Sequence, residues 1–311
     1  MKFYFAPMEG VTGYNYRNAH HAYFRGVDKY FTPFIVTNQS IKLRTRELED
    51  IRPDHNEGLT VVPQILSNQA HDFIETAKRI VQLGYDEINL NLGCPSGTVV
   101  AKHRGSGFLS QIEELDRFLD EVIRADVAKL SIKTRIGVED PTEFYKLLEI
   151  YNRYPLEELI IHPRIQKQYY KGTPDLEIFG YALGHSKNPI CYNGDINTVE
   201  DYQKFMAQFP QVDRVMIGRG ALANPALFQE IKGEEGLDKE TFRQFHSMIC
   251  EGYEEIMSGD RNVMFKMKEL WFYMSRLFPD QEKCYKKIRK VEKLADYKAI
   301  VRSLLREDLS Q

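Results

Sequence analysis

TVVPQILSNQAHDFIETAKRIVQLGYDEINLNLGCP, residues 60–95, contains one complete unit of the fold. A β-rich apolar run at 60–65 is followed by helical spacing at 71–83 and a second β-rich run at 87–92. Two such runs joined by a dozen amphipathic residues read as parallel strands with a crossover helix. The pattern continues in both directions. Further runs lie at 3–6, 30–35, 129–134, 159–162, 189–193 and 214–218, and further helical patterns at 112–124, 141–154 and 198–209. Eight β–α alternations predict an α/β chain of the (β/α)8 TIM-barrel type, its parallel strands closed into a ring with helices outside. An open doubly wound sheet is the alternative. It usually has fewer strands and a Gly-rich first turn, and Pro7-Met8-Glu9-Gly10 is not a GxGxxG.

After Phe228 the strand signals stop. Residues 231–239 (IKGEEGLDK) read as a linker, and 241–306 show only helical periodicity. Trp271, Phe272, Leu277, Ile288 and Leu294 are the expected core contacts of a small C-terminal all-α bundle. The expected division is therefore a barrel over 1–235 and a helical domain over 236–311. The 311 residues are 42% hydrophobic and 28% charged, ordinary for a globular chain. No apolar run approaches a bilayer span, and the N-terminus lacks a secretory pattern. A cytoplasmic protein and no membrane are the expectation, with a monomer as the default. Cys94, Cys191, Cys250 and Cys284 are scattered with no CxxC pair, so no metal is expected, and the last three read as packing residues. Net charge is −3, unevenly spread: residues 261–306 carry 13 Lys/Arg against 5 Asp/Glu, a local +8 that leaves −11 on the remainder. A basic module is attached to an acidic body.

Chemically loaded residues fall where strand after strand ends. The first run ends at Pro7-Met8, the third at Gln64, and the fourth at Asn91 with Gly93-Cys94-Pro95 beyond. The fifth ends at Lys133 and Arg135, and the sixth at His162 and Arg164. Asn193-Gly194-Asp195 closes the seventh and Gly218-Arg219-Gly220 the eighth. In a closed barrel these ends meet on one face, where active sites sit. Turn formers explain one or two polar strand ends, not six or seven converging on Gln, Asn, Cys, Lys, His and Arg. Loops after strands seven and eight are the usual phosphate site of this fold, and Asn-Gly-Asp with Gly-Arg-Gly supplies open N–H groups and a guanidinium. A phosphorylated cofactor with a flat head suits such a mouth, and FMN is the natural candidate.

APMEGVT, VPQIL, INLNLGCP, KTRIG, IIHPR, YNGD and VMIGRGAL occur here in the order and spacing of tRNA-dihydrouridine synthases, and the chain resembles that family from about Phe5 to Phe228. The basic helical part is similar to the family's second domain. The resemblance implies that Pro7-Met8 lies against the flavin ring, and that Gln64 matches the amide at the isoalloxazine edge. It implies that Asn91 sits between flavin and substrate base, Lys133 beside the flavin N1/O2 edge, and His162 near flavin and substrate. Asn193, Gly194, Asp195, Gly218 and Arg219 match the ribityl- and phosphate-holding loops. Arg135 and Arg164 are expected on the substrate side, Arg164 bordering the RNA entrance. Pro163 stands where many relatives look like His-Gly-Arg, and Ser96-Gly97-Thr98 where a bulkier stretch is common.

The implied reaction saturates the C5–C6 bond of uracil in a specific tRNA uridine. NADPH or NADH reduces FMN, hydride passes to C6, and Cys94 protonates C5 from the opposite face. A general acid must hold its proton near neutral pH, which an ordinary thiol does. Lys283-to-Lys293 (KCYKKIRKVEK, with Lys286, Lys287 and Lys290) and Lys102-His103-Arg104 are expected to hold the tRNA body, and Tyr169-Tyr170-Lys171 to add stacking at the entrance. Two other functions compete: an FMN barrel acting on a free pyrimidine, as in dihydroorotate-type dehydrogenases, and a catalytically silent tRNA-binding chaperone.

Overall fold

A computed structural model describes residues 1–38 and 42–305. Ten parallel strand segments form one sheet: β1 Lys2–Phe5, β2 Lys29–Phe31, β3 Ile35–Val36, β4 Val61–Val62, β5 Gln64–Leu66, β6 Glu87–Leu92, β7 Lys129–Arg135, β8 Glu158–His162, β9 Ile190–Tyr192 and β10 Arg214–Ile217. They fill eight positions. Pro63 has no N–H to give the ladder and splits the third strand into β4, which pairs with β2, and β5, which pairs with β3 and β6. The sheet order β3-β5-β6-β7-β8-β9-β10-β1-β2-β4 thereby returns to its own beginning, and the barrel is closed. The second strand is split too, by Thr32-Pro33-Phe34.

Pleating decides what faces inward. Ser131, Lys133 and Arg135 alternate along β7, while Thr134, between them, turns outward to the Tyr151 hydroxyl at 3.1 Å. Parallel register then sets rows across the interior. Gln64, Asn89, Ser131 and Glu158 form one, and Asn91, Lys133, Ile160 and Cys191 the next toward the strand C-termini. Arg135 and His162 pair above them. The opposite end is closed by Lys29, whose ammonium reaches Glu87 at 2.6 Å and Glu158 at 3.0 Å. Tyr4, Phe31, Val62 and Met216 fill the interior between. The barrel is a packed core with a polar, open top.

Helices Ala70–Val81, Ile112–Ala125, Glu143–Tyr151 and Val199–Gln208 agree with the periodic stretches in position. Beyond the barrel come helices Lys239–Ile256, Asp260–Met274, Gln281–Lys290 and Leu294–Leu304, with no strand among the described residues there. Their apolar core is continuous with the barrel's. Asn15 Nδ2 donates to the Ile249 carbonyl at 2.9 Å and Lys266 Nζ to the Gly10 carbonyl at 2.6 Å, tying bundle to barrel. Trp271, Leu277, Ile288 and Leu294 are buried as expected, and so are Cys191, Cys250 and Cys284. Phe272 is not a core residue. It is 50% exposed, because the residue beside Trp271 is turned about 100° around the helix.

Candidate active site

The strand C-termini enclose a cleft of about 330 Å3. Pro7, Met8, Gln64, Asn91, Cys94, Lys133, Arg135 and His162 line it, as do Asn193, Gly194, Asp195, Gly218 and Arg219. Seven of the eight strand positions thus supply these residues to one pocket.

The Cys94 loop is held from three sides. Asn91 Oδ1 accepts from the backbone N–H of Gly93 at 3.0 Å and of Cys94 at 2.9 Å. Arg135 Nε donates to the Gly93 carbonyl at 2.9 Å, and the Ser106 hydroxyl to the Cys94 carbonyl, also at 2.9 Å. The Asn91 amide is itself fixed from inside the barrel. Its Nδ2 donates to Gln64 Oε1 at 2.7 Å, Gln64 Nε2 to Asn89 Oδ1 at 2.8 Å, and Asn89 Nδ2 to Ser131 Oγ at 3.0 Å. A chain of amides runs from the barrel core to the cysteine. Gln64 therefore keeps only its spare amide hydrogen and lone pair for the cleft.

Gly105, at φ +55°, must pass close under this loop. A Cβ there would stand 2.7 Å from the Cys94 carbonyl oxygen. Gly105→Ala is expected to cost roughly 1–3 kcal/mol through overpacking and an unfavourable backbone, and to displace the thiol. Thermal denaturation together with turnover checks this; an unchanged Tm at full activity contradicts it.

Electrostatics differ sharply within the cleft. Burial pushes the Cys94 thiol above its ordinary value, against a weaker opposite pull from the Ser96 backbone and Arg135. The group is a held proton rather than a thiolate. Burial lowers the Lys133 amine to about 8, with Arg135 adding repulsion. Among the described residues that ammonium has neither a hydrogen-bond nor an ion-pair partner. Burial also holds His162 well below its usual range, helped by Arg135 and Lys133, so its ring is neutral. Arg164 Nη1 lies 3.1 Å from His162 Nε2 and can only donate, which leaves the ring proton on Nδ1.

The loops after β9 and β10 are close-packed. A Cβ on Gly220 would fall 2.2 Å from the Ile196 carbonyl oxygen. Arg219 bonds Asp195 at 2.6 Å and opens the short helix Arg219–Ala223, whose first N–H groups have no intrahelical acceptor. An amine without a partner, an edge of amides and this pair of loops fit a flat, anionic, phosphorylated group. Lys133 would stand at its anionic edge, and Gly194, Gly218 and Arg219 at its phosphate.

Arg164 departs from the expectation of an entrance residue. It is fully buried, and its donors are spent on His162, Asp195 and the carbonyls of Lys171 and Gly172. It orients His162 and ties down the loop that carries Tyr170. Arg104 is likewise committed, to the Thr37 carbonyl at 3.1 Å and to Asn68 at 3.3 Å. Lys102, Lys286, Lys287 and Lys290 stand away from the cleft, the last three along helix Gln281–Lys290. Tyr170 does reach it, its ring 6.0 Å from His162 and beneath the guanidinium of Arg219 at 4.7 Å. Sequence reasoning missed Glu9, Pro33, Phe34 and Tyr273, all of which line the cleft. Only Pro33, inside an apolar run, carried a signal: a proline interrupts a central strand for a reason.

Fold and site together define a (β/α)8-barrel enzyme with a thiol, a desolvated amine and a close-packed glycine- and arginine-bearing loop pair at its mouth. The sequence model of the dihydrouridine synthase (Dus) family matches residues 4–307, and the chain belongs to that family. It is 27% identical over 282 residues to "tRNA-dihydrouridine synthase B" of Pseudomonas aeruginosa, covering 88% of this chain and 83% of that one. To "tRNA-dihydrouridine(16) synthase" of Vibrio parahaemolyticus it is 25% identical over 95% of this chain and 94% of that one. Among solved structures, morphinone reductase superposes with TM-score 0.52 at 14% identity over 78% of this chain and 88% of that one. A 2-naphthoyl-CoA reductase complex gives 0.58 at 12% identity, covering 75% of this chain and 50% of that one. These likenesses show the barrel fold. No described helix is long and apolar enough to cross a membrane.

Proposed function

We propose that this enzyme reduces a uridine of transfer RNA to 5,6-dihydrouridine, with FMN bound in the cleft, NADPH or NADH as reductant and Cys94 as the proton donor. The observation that carries the reading is a thiol held protonated by burial in the same cleft as an ammonium with no partner among the described residues. When bound, the flavin supplies the hydride chemistry. The chain supplies the rest. Cys94 gives its S–H proton to C5 of the uracil, and the amide chain through Asn91 holds that sulfur in place. Lys133 offsets negative charge on the flavin edge. His162, neutral, presents an N–H to substrate or cofactor, and Tyr170 guards the entrance. The relatives named for tRNA support the RNA reading. So does the local +8 of residues 261–306, which a free-pyrimidine enzyme does not need. The barrel over 1–235 would do the chemistry and the C-terminal part, 236–311, hold RNA, in a cytoplasmic monomer.

The target base must leave its stack, at a cost of a few kcal/mol that phosphate contacts can offset. Lys102, Lys286, Lys287 and Lys290 would make such contacts. Reversing the last three (K286E/K287E/K290E) is expected to weaken tRNA binding and reduce the slope of log K against log salt by about 2. An unchanged slope removes that helix from the RNA footprint. The reading as a whole is tested by purifying the protein and comparing turnover on unmodified tRNA with that on free uridine. Yellow protein that prefers tRNA by orders of magnitude supports it. Equal rates favour a free-pyrimidine enzyme, and colourless protein that takes up no FMN favours a silent RNA binder.

A further inference from the structure

Helix Asp260–Met274 has a face that no other described residue covers. Phe265 is 61% exposed and Phe272 50%, the two most exposed phenylalanines among the described residues. Seven residues apart, they share one side of the helix. Arg261, one turn before Phe265, shares that side, and Arg276 stands in the turn Ser275–Leu277 just beyond the helix; both are exposed and without an ion-pair partner among the described residues. The stripe reads Arg, Phe, Phe, Arg. Each phenylalanine is followed by a residue turned toward the barrel: Lys266, whose ammonium sits on the Gly10 carbonyl, and Tyr273, which lines the catalytic cleft. The Phe272 end of the stripe therefore lies one helical step outside the cleft, and the Phe265 end lies beside the Gly10 turn that follows the first strand. At its lower end Phe272 meets Tyr285 edge-on at 5.8 Å, joining it to the lysine-rich helix Gln281–Lys290.

Two large aromatic rings exposed on a helix call for a partner. An apolar protein contact would be depleted of charge at its centre. Here the two rings are flanked by exposed cations without an ion-pair partner among the described residues, a composition that binds unpaired nucleic acid by stacking on bases and attracting phosphates. Phe265 and Phe272 stand about 10 Å apart along the helix axis, by a rise of about 1.5 Å per residue. That is about three times the ~3.4 Å rise of a stacked strand, so the rings suit splayed bases of a loop rather than stacked neighbours.

We propose that Phe265 and Phe272 form a stacking platform for unpaired nucleotides flanking the one that enters the cleft, with Arg261 and Arg276 on their phosphates. The proposal rests on the RNA reading above and specifies how the strand is held beside the site. A loop laid along this stripe has its backbone fixed on both sides of the extruded nucleotide. The two phenylalanines are surface residues, so their replacement leaves the cleft and the fold intact.

The test uses the full-length, FMN-loaded protein with unmodified tRNA, comparing wild type with F265L/F272L and F265W/F272W. Leucine keeps apolar area and removes the aromatic face. The leucine pair is expected to raise KM for tRNA roughly 5- to 100-fold, the range for losing one stacked base or two weaker ones. It should leave NAD(P)H-dependent flavin reduction and the slope of affinity against salt unchanged, since no charge is lost. The tryptophan pair should restore affinity and show fluorescence quenching on binding. Leucine and wild-type proteins with the same KM overturn the platform, as does a leucine variant that merely dissolves a dimer of this chain. Wild-type protein that turns over no tRNA at all refutes the underlying RNA reading instead, so the two failures are told apart.

Discussion

Cys94→Ala is expected to leave flavin reduction by NAD(P)H intact and to cut turnover on unmodified tRNA by roughly 10²- to 10⁴-fold, the usual contribution of a positioned general acid. The thiol is singled out by its surroundings. Its backbone is fixed by Asn91, Arg135 and Ser106, so the sulfur has a defined place at the mouth. Burial raises its pKa above the ordinary thiol value, so the proton is present through the neutral range and is lost only in alkali. Turnover should accordingly be flat in pH across neutrality and fall at pH above that of a free thiol as the thiolate forms. A nucleophilic cysteine would give the opposite limb, with rate rising as the proton leaves. Steady-state rates from pH 6 to 10, on wild type and C94A, separate the two. A C94A enzyme at full rate, or a rate that climbs with pH, removes Cys94 as the acid.

Lys133→Met should weaken FMN binding by one to two orders of magnitude and, in the same experiment, make the cofactor-free protein more stable. Both effects come from one cause. The ammonium is desolvated and has no partner among the described residues, and its pKa falls to about 8. The native state binds this proton less tightly than the unfolded chain does. The penalty is therefore fully present below pH 8 and fades as pH rises from there toward the free lysine value. At about 1.4 kcal/mol per pKa unit, removing the charge should return roughly 1–3 kcal/mol to the apoprotein at neutral pH. Affinity for the anionic cofactor moves the other way. It should fall above pH 8 in wild type, as the amine loses its charge, and lose this dependence in K133M. Thermal melts of apoprotein and FMN titrations at pH 7 and 9 measure both. A K133M apoprotein that melts lower, or binds FMN equally well, contradicts the account.

The polar end of the barrel was legible in the sequence because strand pleating is simple. Residues 131, 133 and 135 share one face by their spacing alone, and register brings His162 beside Arg135. Cys94 was legible because it stands in Asn-Leu-Gly-Cys-Pro directly after the fourth strand run, where the resemblance to the family places its cysteine. Arg164 was not, since the carboxylate that buries it, Asp195, comes 31 residues later and no spacing announces the pair. Asn89 and Ser131 were passed over as strand interior. Their part in fixing Gln64 and Asn91 depends on inward rows that only the closed barrel aligns. In the bundle, composition marked Phe272 as core, while the helical phase that buries Trp271 leaves its neighbour outside. Tyr273 was missed for the same reason: which side of that helix faces the cleft is set by tertiary contacts such as Lys266 on Gly10.

The most direct test is the mass of the product. Purified protein, supplied with FMN and NADPH, is incubated with unmodified tRNA, and the RNA is digested and weighed by fragment. A gain of about 2 Da on one uridine, the two hydrogens of the reduction, matched by one NADPH consumed, is the predicted result. NADPH oxidised while every fragment keeps its mass would contradict the account.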